Sequence, residues 1–237
     1  MYRIETLTVN DSPMEVFVFE PEGRGPFPGM VVAQHIPIGH TGLENDTFTL
    51  DVGERMAANG YVTAIPFIFH WWPKTEEMAV KRAGFRDDWT IADLNAAFDL
   101  LAAREDVDAT RIGLLGHCWG GRVAWVGAAT NPRYRAMTML YGGRVRLPMG
   151  GIPAIELVDR IKCPVLGIFG NEDQSPSPED VDVMEAALAG AGVPHTFHRY
   201  DGAGHGFQDY KNPDRYREGP AKDAWGKLLA FFEKELK

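Results

Sequence analysis

The sequence predicts an α/β protein made of one domain, in which helices lie on both faces of a mostly parallel β-sheet. Three observations indicate this class. Short apolar runs rich in strand-forming residues alternate with longer helical patterns along the chain. The 237 residues, 45% of them hydrophobic, are enough for one substantial core and lie near the upper size for a single domain. No internal repeat, low-complexity tract or flexible linker divides residues 1–237.

Two strands open the chain and six buried strands follow. Residues 2–9 and 15–20 are predicted to pair in antiparallel fashion around a turn at 10–13, where asparagine, aspartate, serine and proline favour chain reversal. The buried strands are short apolar runs, as expected of parallel strands covered on both faces, and are predicted at 29–33, 61–66, 111–115, 136–141, 165–169 and 195–200.

Helices are predicted between these strands, at 45–58, 87–103, 119–129, 178–189 and 219–235. Ser177 followed by Pro178 is typical of a helix start, because serine caps free N–H groups and proline suits the first turn. Gly60 and Gly190 stand where helices are expected to end.

The charge balance argues against two classes of partner. A net charge of -9 at pH 7 offers no basic surface for nucleic acid, and it would tend to repel anionic membrane surfaces. No apolar run reaches the length of a membrane span, and residues 1–5 lack the basic-then-apolar layout of a secretory signal. Cys118 and Cys163 are predicted at opposite ends of the sheet and cannot form a disulfide framework. We expect a cytoplasmic monomer or homodimer with reduced thiols.

The strongest functional signal is a glycine-rich turn around Cys118. An apolar strand runs into Gly-x-Cys-x-Gly-Gly at residues 116–121, and an apolar helix follows. Small residues on both sides allow a strained strand-to-helix turn, the nucleophile elbow, with cysteine in the usual serine position. The positive end of the following helix would lower the pKa of the thiol and favour the reactive thiolate. Burial as a small apolar side chain is the alternative, and it is the role we expect for Cys163.

An acid and a histidine follow Cys118 in the order that the α/β-hydrolase fold uses. Asp173 comes after the strand at 165–169, and His205, flanked by glycines, comes after the last strand. Glu172 is a second candidate for the acid, with a solvated loop charge as its simpler role. We therefore predict that Cys118 attacks the substrate, His205 acts as the base and Asp173 orients His205.

Four segments, 31–36, 116–121, 170–173 and 202–207, resemble the dienelactone hydrolase family, small α/β-hydrolases with a Cys-Asp-His triad. The resemblance runs over nearly the whole chain. It implies cleavage of a small ester or lactone through a thioacyl-enzyme, an activity of the carboxymethylenebutenolidase type, with no cofactor and no metal. It also implies an oxyanion hole formed by the backbone N–H groups of Ile36 and Trp119.

Two positions depart from the family pattern. His35 stands where the family has a glutamate that keeps the cysteine neutral, and two roles are open for it, pairing with the thiolate as an imidazolium or lining the pocket. Asp209 falls near the position of the family's arginine that grips a substrate carboxylate. Arg82 and Arg86 are looser candidates for a substrate-binding arginine.

The irregular stretch at 67–85 leaves the carboxyl end of a strand and is expected to form a pocket wall or lid. Core packing is the simpler role for any single aromatic side chain in it. As a group these aromatics predict a less charged, more hydrophobic ester as substrate. The predicted substrate-binding residues are His35, Trp71, Trp72, Arg86 and Phe207.

Four alternatives compete with this interpretation. A broad-specificity esterase would also cleave other activated esters, such as aryl phosphotriesters. A hydrolase-like binding module would keep the fold without catalysis, but the complete triad argues against it. A dinucleotide-binding oxidoreductase would need glycine where Cys118 stands. A metal site formed by His35, His40 and His70 lacks the short ligand spacings of zinc motifs.

Overall fold

The computed structural model of the chain describes residues 2–36 and 42–237. Within them the strands are Tyr2–Val9 (β1), Ser12–Phe19 (β2), Phe27–Ala33 (β3), Val62–Pro66 (β4), Val107–His117 (β5), Ala136–Leu140 (β6), Val165–Gly170 (β7) and His195–Tyr200 (β8). The helices are Thr47–Ala58 (α1), Met78–Ala83 (α2), Asp87–Ala102 (α3), Trp119–Thr130 (α4), Pro178–Gly190 (α5) and Glu218–Leu236 (α6), with short 3₁₀ helices at Leu43–Asn45 and Ala154–Arg160.

The strands form one sheet in the order β1-β2-β4-β3-β5-β6-β7-β8. β2 pairs in antiparallel fashion with β1 and with β4, and each of the other neighbouring pairs is parallel. The carboxyl ends of β3, β5, β6, β7 and β8 therefore lie at one edge of the sheet, where a ligand crevice is expected. The predicted α/β class with a mostly parallel sheet is confirmed.

Helices cover both faces of the sheet, as two successive residues of β5 show. Successive side chains of a strand point to opposite faces. A Cβ added at Gly113 would lie 2.8 Å from Leu236 and 3.1 Å from Phe232, both in α6. Leu114, on the other face, packs against α4 so closely that a Cβ at Gly127 would lie 2.8 Å from it. The core therefore consists of one apolar layer on each side of the sheet.

The predicted hairpin is present, but its turn is tighter than expected. Asn10 and Asp11 alone form the turn, with φ of 44° and 65°, and Ser12 already pairs with Val9. Asparagine and aspartate tolerate positive φ, and a two-residue turn of this kind matches the twist of the paired strands. β5 also begins earlier than predicted, at Val107, because its first residues pair with the start of β3.

Of three predicted helix boundaries, two are confirmed and one is shifted. Ser177 caps α5 by accepting a hydrogen bond from the Asp180 backbone N–H at 3.2 Å, in a reciprocal capping box. Gly60 follows α1 with φ of 85°. α5 continues through Gly190, and the left-handed residue beyond it is Gly192, with φ of 67°. Sequence reasoning missed α2, whose six residues are too few to show a helical period.

The two cysteines lie at opposite edges of the sheet, as predicted, because Cys118 follows the carboxyl end of β5 and Cys163 precedes the amino end of the parallel strand β7. Burial raises the pKa of Cys163 to about 12. Within 2–36 and 42–237 no helix is both long and apolar enough to cross a bilayer.

Candidate active site

Cys118 occupies a strained turn between β5 and α4. Its φ of 54° and ψ of -121° lie in a region that residues other than glycine seldom adopt. The flanking glycines make the turn possible. A Cβ at Gly116 would lie 1.9 Å from the Gly120 carbonyl oxygen, and a Cβ at Gly120 would lie 2.1 Å from that of Ala33. The Cys118 side chain is thus presented at the carboxyl edge of the sheet and at the start of a helix.

His205 and Asp173 stand beside Cys118 in a continuous chain of contacts. His205 Nε2 lies 3.0 Å from Cys118 Sγ, and His205 Nδ1 lies 2.8 Å from Asp173 Oδ2. The buried Asp173 accepts a further hydrogen bond from the Ser175 backbone N–H at 2.8 Å. The exposed Glu172 does not contact His205, and its backbone N–H donates to the Ala203 carbonyl. The structure thus brings together the three residues predicted as a triad.

The electrostatics favour a thiolate and an imidazolium. Burial alone would raise the pKa of the Cys118 thiol, but the hydrogen bond and charge of His205, the charge of His35 and the Trp119 backbone N–H together hold that pKa below its ordinary value. Burial would lower the pKa of His205, but hydrogen bonds to Asp173 and Cys118 and the charges of both raise it to about 10. Cys118 and His205 therefore stabilise each other as a thiolate and an imidazolium.

His35 is held by an acid of its own rather than by Cys118. Its Nδ1 lies 2.8 Å from Asp46 Oδ2 and 2.9 Å from the Thr49 hydroxyl. Although burial would lower the pKa of His35, the charge and hydrogen bond of Asp46, with smaller effects from Cys118 and Asp209, raise it. Among the described contacts His35 has no direct hydrogen bond to Cys118, so it acts on Cys118 through its charge. Of the two roles open for His35, this arrangement favours that of an imidazolium near the thiolate.

We expect Asp46→Asn to raise the pKa of the Cys118 thiol. Without the carboxylate, the pKa of His35 falls, so His35 carries less positive charge near the thiolate. Asparagine keeps the cap of α1, in which Asp46 accepts from the Thr49 backbone N–H at 3.1 Å. The measurement is the pH dependence of iodoacetamide alkylation in a Cys163→Ser background. Asp51→Asn, on the same helix, is the control, and identical profiles for the two variants would mean that His35 does not tune the thiol.

A cavity of about 290 Å³ opens beside Cys118. Both predicted oxyanion residues, Ile36 and Trp119, line it together with the triad. The Trp119 backbone N–H lies beside Cys118 and helps to lower the pKa of its thiol. A carbonyl carbon bound to Cys118 would therefore place its oxygen near at least one backbone donor.

Four arginines line the same cavity. Arg122 is buried, and its guanidinium is paired with the Asp87 carboxylate. Arg82 and Arg144 flank the Trp119 indole, 6.0 Å and 5.9 Å from the ring centroid, and Arg215 is the fourth. Across 2–36 and 42–237 the structure gives no ion pair to Arg82, Arg144 or Arg215. The described wall of the cavity therefore carries positive charge, whereas the sequence predicts a wall lined by Trp71 and Trp72.

Sequence reasoning missed Arg144 and Arg215. Arg144 lies in the loop after β6, with φ of 61°, and Arg215 lies in the loop before α6. Neither residue belongs to a motif or a periodic pattern, so no local signal could have identified them. Arg82, by contrast, is one of the two residues that the sequence offers as a looser candidate for a substrate-binding arginine.

Trp71 and Trp72 lie outside the described wall of this cavity, contrary to expectation. Trp71 donates its Nε1 hydrogen to Asp93 at 3.1 Å and stacks on Trp89 with ring centroids 4.9 Å apart. Trp72 packs with its edge against Trp89 at 5.4 Å. The buried Asp93 carboxylate and the Trp89 indole thus hold Trp71 and Trp72 within the fold. These two side chains pack there and do not line the described cavity.

Arg86 and Phe207 do not line the cavity either. The exposed Arg86 side chain pairs with Asp88 at 2.9 Å in the first turn of α3. Phe207 is fully buried and packs against Tyr141 at 5.7 Å, and Tyr141 in turn packs against His205 at 5.3 Å. Phe207 therefore supports the loop that carries the base, and it does so without reaching the cavity.

The suggested histidine metal site is not assembled by the described residues. His35 is held by Asp46, and His70 lies between Asp93 Oδ1 at 2.8 Å and the Ser12 hydroxyl at 2.9 Å. His40 lies outside the described residues. Among 2–36 and 42–237, no group of three or more histidine, cysteine, aspartate or glutamate side chains is arranged to hold a metal ion.

Comparison with known proteins gives a consistent picture. The model of the dienelactone hydrolase family matches residues 14–236. A carboxymethylenebutenolidase from Rhodococcus opacus is 30% identical over 198 residues, which cover 80% of this chain and 76% of that protein.

Two solved structures share the fold over nearly the full length of both chains. One, from Klebsiella pneumoniae subsp. pneumoniae MGH 78578 and named after the dienelactone hydrolases, has a TM-score of 0.86 at 26% identity and covers 98% of each chain. The other, from metagenomic libraries, is named as a dienelactone hydrolase-like promiscuous phosphotriesterase. It has a TM-score of 0.83 at 20% identity, over 100% of this chain and 99% of that one.

Proposed function

Because the chain belongs to the dienelactone hydrolase family, we propose that it hydrolyses carboxylic ester or lactone bonds through a thioacyl intermediate on Cys118. The observation that carries the proposal is the chain of contacts from Cys118 Sγ to His205 at 3.0 Å and from His205 to Asp173 at 2.8 Å. A nucleophile, a base and an orienting acid in hydrogen-bond reach of one another are the arrangement that covalent catalysis needs.

The first half of the reaction acylates the enzyme. The Cys118 thiolate attacks the carbonyl carbon, and the oxygen that gains the negative charge is stabilised by the backbone N–H groups of Trp119 and Ile36. When the tetrahedral intermediate collapses, the C–O bond breaks and the imidazolium of His205 gives its Nε2 proton to the leaving oxygen. With a lactone as substrate, the released hydroxyl stays attached to the acyl chain.

The second half regenerates the enzyme. Neutral His205 removes a proton from water, and the resulting hydroxide attacks the thioester carbonyl. Cys118 leaves as a thiolate and the carboxylic acid product loses its proton to solvent, so the ion pair with His205 is restored. Asp173 keeps the His205 ring in one orientation through both halves.

The unpaired arginines of the cavity support a substrate that carries a negative charge close to the reacting bond. Arg82, Arg144 and Arg215 bring three guanidinium groups to the cavity, and among the described lining residues Asp173 alone is acidic. Asp173 is occupied by His205 and Ser175. Guanidinium groups bind carboxylates strongly through charge-assisted hydrogen bonds. We therefore propose that the chain prefers anionic esters or lactones over neutral ones.

The expected result for Arg215→Gln is a roughly tenfold fall in the ratio of kcat/KM for an anionic aryl ester to kcat/KM for its neutral counterpart, the scale of one charge-assisted hydrogen bond. Glutamine removes the charge and keeps much of the side-chain length. Arg86→Gln, an exposed arginine outside the cavity, is the matched control. The anionic preference would be refuted by an equal ratio in the wild type and in Arg215→Gln.

A further inference from the structure

A second cavity, of about 340 Å³, adjoins the first and shares Gly143, Arg144 and Ser175 with it. The two cavities therefore meet along these residues, which belong to the loops after β6 and β7 at the carboxyl edge of the sheet. Each alone is at the lower end of the range of about 300–1,000 Å³ that small-molecule sites occupy, and the two together lie well inside that range.

The wall of the second cavity beyond the shared residues is largely apolar. Val145 and Met184 contribute side chains that are 2% and 0% exposed, and Pro176 is also buried. Leu147 lines the same cavity and is 50% exposed. An apolar ligand in the cavity would remove this leucine from water.

The charged residues of the second cavity do not offer a free charge to a ligand inside it. Arg146 and Asp180 pair with each other at 3.3 Å, with side chains 59% and 36% exposed at the rim. The Arg144 guanidinium is directed toward the first cavity, where it stands 5.9 Å from the centroid of the Trp119 ring. The part of the wall that remains for a ligand is formed by the apolar side chains of Val145, Leu147, Pro176 and Met184.

The loop after β6, which lines both cavities, is held by the helix that follows the nucleophile. Arg122 of α4 donates from Nε to the Arg144 carbonyl at 3.3 Å and from Nη2 to the Leu147 carbonyl at 3.2 Å, while Asp87 neutralises its charge. Arg144 takes up a positive φ of 61°, which turns the chain between the two cavities. The second cavity is therefore fixed in position relative to Cys118.

From this continuity we propose that the second cavity binds an apolar chain of the substrate while the scissile carbonyl lies at Cys118. The proposal rests on the proposed hydrolase function and narrows it. The substrate class is an ester or lactone with a hydrocarbon chain of several carbons on one side of the reacting bond and a negative charge near that bond.

The test is the binding of two carboxylates, acetate and hexanoate, measured by titration calorimetry, together with hydrolysis of the corresponding aryl esters. The carboxylate is expected to lie at the arginines of the first cavity and the chain in the second. Each methylene that is removed from water strengthens binding by about fourfold. Hexanoate is therefore expected to bind at least roughly tenfold more tightly than acetate, even when only part of the chain is buried.

For Leu147→Asn we expect the preference for hexanoate over acetate to fall about threefold or more. This holds for the ratio of the two binding constants and for the ratio of kcat/KM of the two aryl esters. Val183→Asn makes the same change at an exposed valine of α5 that does not line the cavity, and it is expected to leave the ratio as in the wild type. Met184→Phe, which fills the cavity from α5, is a second variant with the same expected direction.

The two proposals fail in different ways. Equal binding of acetate and hexanoate, or a ratio that Leu147→Asn and Met184→Phe both leave unchanged, would overturn the second cavity as a chain site, whatever the catalytic result. Ester hydrolysis that does not depend on Cys118 would instead overturn the proposed mechanism. A parallel series of acetate esters of longer alcohols identifies which side of the ester bond carries the chain.

Discussion

Replacing Cys118 by alanine is expected to reduce kcat/KM for an activated aryl ester by roughly four to six orders of magnitude, the effect of removing the nucleophile from a catalytic triad. Alanine leaves His205 and the backbone donors in place, but no atom remains that can form the acyl-enzyme. The rates of both proteins are best measured on a panel of an aryl ester, a neutral lactone, an anionic dienelactone and an aryl phosphotriester. The same panel ranks the substrate classes.

Cys163→Ala is the matched control for this loss. Cys163 is buried at the other edge of the sheet, where burial raises the pKa of its thiol to about 12, so it offers no thiolate near neutral pH. Its replacement is expected to leave the rates close to those of the wild type. If Cys118→Ala and the wild type turned over the panel equally, the chain would be better described as a binding module built on this fold.

Asp173→Asn is expected to lower kcat by about 10³ to 10⁴ while the fold persists. The carboxylate fixes the His205 ring and, through its hydrogen bond and charge, helps to raise the pKa of His205 to about 10. Asparagine removes the charge, so the pKa of His205 falls. The thiolate-imidazolium pair, which exists above the pKa of Cys118 and below that of His205, is then populated over a narrower range of pH.

The measurement is the pH profile of kcat/KM for the wild type and for Asp173→Asn. Activity in the wild type is expected to be retained toward high pH, until the imidazolium loses its proton near the raised pKa of His205, and in the variant this alkaline limb moves to lower pH. Glu172→Gln is the control, because Glu172 is an exposed neighbour that does not contact His205. A larger loss in Glu172→Gln than in Asp173→Asn would reassign the orienting acid.

The sequence by itself determined the α/β class, the identity of most strands and helices, and the three residues that meet at the proposed site. These features are encoded locally. Only glycine fits at positions 116 and 120, because the backbones around Cys118 approach there too closely for a Cβ atom. Asp173 and His205 each follow a recognisable strand. Because parallel strands bring their carboxyl ends to one edge, the order of these segments was enough to predict that the side chains lie together.

The tertiary structure alone decided the character of the pocket. Trp71 and Trp72 pack around Asp93 and Trp89, and four arginines line the cavity instead. Two of these, Arg144 and Arg215, come from loops without a motif. The direction of a loop side chain depends on contacts with residues far away in the sequence. The buried Arg122, for example, donates a hydrogen bond to the Arg144 carbonyl and pairs with Asp87, 35 residues earlier in the chain. Such long-range contacts leave no periodic trace in the sequence, so the charge and shape of the substrate cavity could be read only from the folded chain.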